Sequence, residues 1–139
     1  MTRFRFRLQK VLEYRSRLEK DAKDAYLDAR AKRLAAELDL LCIQQRREQI
    51  LAEPSEGLDG RIVLELYLFR LDQEERCQVL VIEALETEEE SLRLQWIERR
   101  REHEAIEKLR NHAFGDWTLA VDRKEQSELD EWAVLRSAA

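Results

Sequence analysis

Residues that turn a chain are nearly missing here. Proline occurs once, at Pro54, and glycine three times, at Gly57, Gly60 and Gly115. A fold of many short elements needs such residues at each reversal, so this composition excludes one. Aromatics make up only 7% of the chain, too few bulky groups for a compact globular core. The two cysteines, Cys42 and Cys77, show no Cys-x-x-Cys or zinc spacing. They read as small half-buried packing residues of a cytosolic protein in a reducing compartment. No apolar run approaches a membrane span, and the basic start lacks the apolar stretch of a secretory signal. There is no glycine-rich phosphate loop, no Gly-x-Ser-x-Gly and no His-Glu-x-x-His. His103 and His112 do not share a helix face. Carboxylates abound, but two paired helices have no concave interior in which to shift a pKa. The expectation is a protein that is not an enzyme and holds no cofactor or metal.

What is present is charge, 40% of residues, with a net charge of −5. The balance hides a basic start (Arg3, Arg5, Arg7, Lys10, Arg15, Arg17, Lys20) and an acidic cluster (Glu83, Glu86, Glu88, Glu89, Glu90). Such composition suits long exposed helices or disorder, and a regular apolar period decides for helices. Leu64, Leu68, Leu71, Glu75, Gln78, Ile82, Leu85, Glu89, Leu92, Trp96, Arg99, His103, Ile106, Arg110, Ala113 and Trp117 step four and three without a break. That is a narrow seam along one very long helix. Upstream, Leu8, Val11, Arg15, Leu18, Ala22, Ala25 and Ala29 keep a similar rhythm. Leu34, Leu38, Leu41 and Gln45 resume it on a shifted phase, which reads as a stutter. The residues before them, Arg3-Phe4-Arg5-Phe6-Arg7, alternate like a strand.

The dense breaker cluster, residues 54–60, separates the two helices, with Asp59 a candidate cap. The predicted fold is all-α: a single coiled-coil domain over residues 1–139, a long antiparallel two-helix hairpin. Its first helix covers about 5–52, its turn 53–60, and its longer second helix about 61–136. Residue i of the first helix should face roughly residue 114−i of the second, placing Leu18 by Trp96. It should also set Ala22, Ala25 and Ala29 against the Leu85 to Leu92 region. The second helix should overhang by about 25 residues, roughly 40 Å, leaving Trp117, Leu119, Val121, Leu129 and Trp132 without partners. Gly115 marks a bend or a weak point in that overhang. Polar seam residues lower stability and fix register. Near the turn a surplus of apolar residues, including Leu40, Ile43, Tyr67 and Leu71, reads as a thick local core or as a binding stripe. The basic N-terminus reads as a solvated face, as a nucleic-acid or lipid contact through Phe4 and Phe6, or as a dock for an acidic protein surface. Its shortness and the acidic balance of the chain weigh against nucleic acid. Arg99, Arg100 and Arg101, flanked by glutamates, read as a salt-bridged solvated face.

The opening Phe4-Arg5-Phe6-Arg7-Leu8-Gln9-Lys10-Val11-Leu12, with Tyr14-Arg15, resembles the N-terminal signature of the FliJ family of bacterial flagellar export proteins. Residues 125–133, Glu-Gln-Ser-Glu-Leu-Asp-Glu-Trp-Ala, with Arg136 after them, resemble that family's C-terminal block. The resemblance implies an antiparallel coiled coil, similar to the γ stalk of rotary ATP synthases. Such a stalk is inserted in the hexameric flagellar export ATPase and couples it to the cytoplasmic part of the export gate. It also implies escort of export chaperones, and a cytoplasmic place at the inner membrane through the export apparatus, without insertion. The expected ATPase contacts are Phe4, Phe6, Leu8, Val11, Trp117, Leu129 and Trp132. The expected gate contacts are Leu40, Ile43, Tyr67 and Leu71, of which Tyr67 and Leu71 match family positions. Trp117 and Gly115 match none. An injectisome stalk of the same shape and a self-associating structural coiled coil are the alternatives. A stalk should be monomeric when free, and nucleic acid is not an expected partner.

Overall fold

The computed structural model describes residues 3–138. The chain is a helical hairpin of α1 (Gln9–Ala52, 44 residues) and a longer α2 (Gly57–Ala138, 82 residues). No strand occurs among the described residues. Two compact units divide the chain: Asp21–Ile97, which holds the turn, and Met1–Lys20 with Glu98–Ala139, which holds the termini.

In the turn unit, α1 stops at Ala52 and α2 starts at Gly57, some residues earlier than the breaker cluster suggested. Gly57 has φ +76, a left-handed conformation that a Cβ would strain. Asp59 therefore lies inside the first turn of α2, where a carboxylate meets the positive end of the helix dipole. It does not cap the helix from outside. Every α2 seam position from Leu64 to Trp96 is buried or half-buried. The fully buried residues are few: Ala29, Ala36, Leu71 and Ile82.

The seam of α1 differs from the sequence expectation. It runs on one phase through Ala22, Tyr26, Ala29, Arg33, Ala36, Leu40, Ile43, Arg47 and Ile50, all buried or half-buried. There is no stutter. Leu34, Leu38 and Leu41 are 45%, 62% and 48% exposed, and Gln45 is exposed too. The reason is charge pairing across the seam. Arg33 binds the Glu89 carboxylate through Nε and Nη2 and donates from Nη1 to Glu37 at 2.9 Å. Arg47 Nη1 stands 2.5 Å from Glu75 Oε2, and Gln78 Nε2 donates to the Ala36 carbonyl at 2.8 Å. The carboxylates beside it raise the pKa of the Arg33 guanidinium above its ordinary value, so the arginine stays charged at any physiological pH. Arginines paired with carboxylates in this way occupy interior positions at a tolerable desolvation cost.

The facing pairs also sit further along α2 than 114−i predicts. Tyr26 stacks on Trp96 at 5.6 Å between ring centroids, with Lys23 Nζ 6.0 Å from the same ring. Side chains lean toward the N-terminus of their own helix. In an antiparallel pair the lean carries α1 groups away from the turn and α2 groups toward it. Contacts therefore join residues whose Cα atoms are staggered in this direction. Ala29 falls between the Tyr26–Trp96 and Arg33–Glu89 layers, small among large groups.

In the termini unit, α1 begins at Gln9 rather than near residue 5. Residues 3–6 are outside any helix or strand, with Phe4, Phe6 and Leu8 half-buried and Arg3, Arg5 and Arg7 exposed. The strand-like alternation thus has a structural counterpart without a strand partner. Gln9 N donates to Phe6 O at 3.2 Å as the helix opens. Arg15 Nη1 meets Glu102 at 2.6 Å, and His103 Nδ1 stands 3.5 Å from Glu19. His103, Ile106, Arg110, Ala113 and Trp117 keep the seam half-buried, while Arg99 leaves it for the surface and pairs with Glu102. Arg100 pairs with Glu104 at 3.0 Å, as expected of a salt-bridged face.

Two outcomes check this packing. Leu71, at 1% exposure, is the anchor of the turn unit, and Leu71→Ala should cost about 3 kcal/mol in urea unfolding. A change within error would show that the seam does not hold it. Gly115 lies in unbroken helix, and a Cβ there would meet nothing within 4 Å. Gly115→Ala should therefore add about 1 kcal/mol and raise the thermal midpoint. A lowered midpoint would mean that a bend at this glycine is needed after all.

Candidate functional site: two protein-interaction surfaces

The termini unit brings some expected contact residues together and leaves others apart. Phe4 sets its ring edge against Phe114 (centroids 5.2 Å, planes at 82°) and lies 5.8 Å from Trp117. Phe114 and Trp117 stack at 5.8 Å. Trp117 is therefore not bare, contrary to expectation: Phe4, ahead of α1, packs beside it. Val121 is half-buried as well. Phe6 and Leu8 are half-buried beside this aromatic cluster in sequence, and Val11 is 38% exposed. Leu129 and Trp132 stand apart, 62% and 61% exposed. The Arg136 guanidinium lies 5.3 Å from the Trp132 ring, a cation–π arrangement.

Half-burying Phe4, Phe6 and Leu8, with one edge-to-face contact, contributes about 5 kcal/mol. Ordering the six residues 3–8 costs about 6 kcal/mol at one per residue. The two terms nearly cancel. Arg3, Arg5 and Arg110 line an open groove with Phe4, Phe6 and Gln9, and no carboxylate shares that lining. Beyond Val121 every described residue of α2 is exposed, including Val134 at 65% and Leu135 at 70%.

In the turn unit the expected gate contacts fall mostly in the seam. Leu71 is 1% exposed and has no surface to offer. Leu40 and Ile43 are half-buried on the seam face of α1, and only Tyr67, at 38%, opens to solvent. The free apolar surface lies elsewhere. On α1 it includes Leu27, Leu34, Leu38 and Leu41; on α2 it includes Ile62, Leu66, Phe69 and Leu80, with Leu66 and Phe69 65% and 64% exposed. Both sets keep a four-and-three rhythm on the side away from the seam. The signal for the α1 set was present in the sequence as a second apolar period, misread there as a displaced seam.

Cys42 and Cys77 are free and exposed rather than packed. Among the described residues no group of three or more His, Cys, Asp and Glu could hold a metal ion. No described helix is long and apolar enough to cross a membrane. The surfaces suited to function are apolar and basic faces, the chemistry of protein contact.

Comparison with curated proteins and with solved structures returned no match. The family described as "Flagellar FliJ protein" matches residues 4–139, which includes both blocks whose resemblance to it was noted in the sequence. The chain belongs to the FliJ family of flagellar export proteins.

Proposed function

We propose that this protein is a coiled-coil stalk that couples the hexameric flagellar export ATPase to the export gate and performs no chemistry of its own. One observation carries the reading. The last stretch of α2, after Val121, carries Leu129, Trp132, Val134 and Leu135, each more than half exposed. Apolar groups gathered on a charged helix are expected to be sheltered by another protein. The termini unit is the end we assign to the ATPase, through Leu129 and Trp132 and the neighbouring Phe6, Leu8, Val11 and Trp117, with Phe4 packed on the Phe114 and Trp117 rings. Arg3, Arg5 and Arg110 add positive charge for an acidic rim. In the turn unit we assign the gate contact to Tyr67 and the outward leucines rather than to the seam residues. Leu34, Leu38 and Leu41 on α1, with Leu66 and Phe69 on α2, replace Leu40, Ile43 and Leu71 in that role. Coupling then follows from different affinities for different states of the ring. Escort of export chaperones is compatible with the same outward stripes.

The test is binding of the purified ATPase to the full chain and to the double variant Leu129→Ala/Trp132→Ala. The variant should bind at least about tenfold more weakly, the loss of one or two interface anchors, with its thermal midpoint unchanged. Equal binding by both proteins would defeat the assignment of this face.

A further inference from the structure

Residues 3–8 differ from the rest of the described chain in how they are held. Outside the helices, their backbone hydrogen bonds are those at the start of α1: Gln9 N to Phe6 O at 3.2 Å and Leu12 N to Leu8 O at 2.9 Å. Neither ties the segment to α2. What docks it is side-chain packing, chiefly the Phe4 ring against Phe114 and Trp117. The arginines between the apolar residues point to solvent and carry no ion pair among the described residues. A segment held by so few groups, against the full entropy of ordering it, exchanges easily between docked and free.

We propose that the segment is a releasable strap: docked, Phe4 covers the Phe114–Trp117 ledge, and released, it bares that ledge for a partner. The strap makes the apolar face at this end of α2 conditional. Any partner that needs Trp117 must first displace Phe4, so its apparent affinity is scaled down by the fraction of molecules whose strap is free. Applied to the ATPase, this rests on the reading given above, but the strap itself does not. It also gives Phe4 an unexpected sign: removing its ring helps binding at Trp117 instead of harming it.

The experiment uses the full chain labelled with fluorotryptophan, whose three tryptophans, Trp96, Trp117 and Trp132, report separately by fluorine NMR. Phe4→Ala should move the Trp117 signal toward its solvent-exposed position and leave Trp96 and Trp132 in place. In the unmodified protein, warming should move Trp117 before Trp96 loses its native signal. A Trp117 signal indifferent to Phe4→Ala, or one that changes only together with Trp96, would overturn the strap. With the ATPase added, Phe4→Ala should bind up to about twofold more tightly, the gain expected when a strap docked in about half of the molecules is removed. Weaker binding would make Phe4 a direct contact and overturn the covering role. If no form of the chain binds the ATPase, the stalk reading fails, and the fluorine signals still decide the strap.

Discussion

Charge pairing across a narrow seam is the constraint on which the structure depends. Two helices alone offer one line of interior positions, and here that line contains Arg33, Arg47, Glu75, Gln78 and Glu89 as well as leucines. An unpaired charge at such a position would cost several kcal/mol. Arg33 with Glu89 and Arg47 with Glu75 avoid the cost only in one register. Sliding one helix past the other by a turn would separate these partners. Apolar packing alone, with Leu71 and Ile82 as the larger buried groups, would discriminate registers poorly. Specificity comes from the polar pairs and cohesion from the apolar ones, a division known in coiled coils with polar interior positions.

The same constraint decides which apolar residues are left over. Because Arg33 fills an interior position, Leu34 cannot. Because α1 keeps that phase, Leu38 and Leu41 turn outward with it. The outward leucines are thus a consequence of the ionic seam and not a defect of packing. The termini unit shows a second arrangement. Ahead of Gln9, where α1 begins, a non-helical segment with alternating arginine and phenylalanine packs its Phe4 against Phe114 of α2. Its Phe4 packs beside Trp117, while Leu129 and Trp132 further along α2 stay open. Both units therefore present apolar faces to solvent, as expected of a family that works by association within the flagellar export apparatus.

Much of this was legible in the sequence. The unbroken α2 period names the residues of its seam almost without error, since a four-and-three rhythm over so many turns has one helical reading. The hairpin follows from a single breaker cluster, and the family from two terminal blocks. The α1 seam was misread because leucine was taken as the mark of an interior position. Leu34, Leu38 and Leu41 fit an apolar template better than Arg33 and Arg47 do, and no local signal reveals that Glu89 and Glu75 wait opposite. Of the expected gate contacts, Leu40 and Leu71 lie in the seam, Leu71 being already a position of the α2 period, so the surplus near the turn included residues that the two helices use for each other. Trp117 was expected to be bare because the reach of residues 3–8 depends on where α1 starts, and helix starts are set by contacts as well as by propensity.

The ionic seam is most directly tested by exchanging the charges of one pair. Arg33→Glu and Glu89→Arg should each lower the thermal midpoint, and the protein carrying both should recover most of the loss, since the pair is restored in reverse. If either single change is silent, or the double variant is no more stable than the worse single one, the pair does not set the register and the account of the outward leucines falls with it.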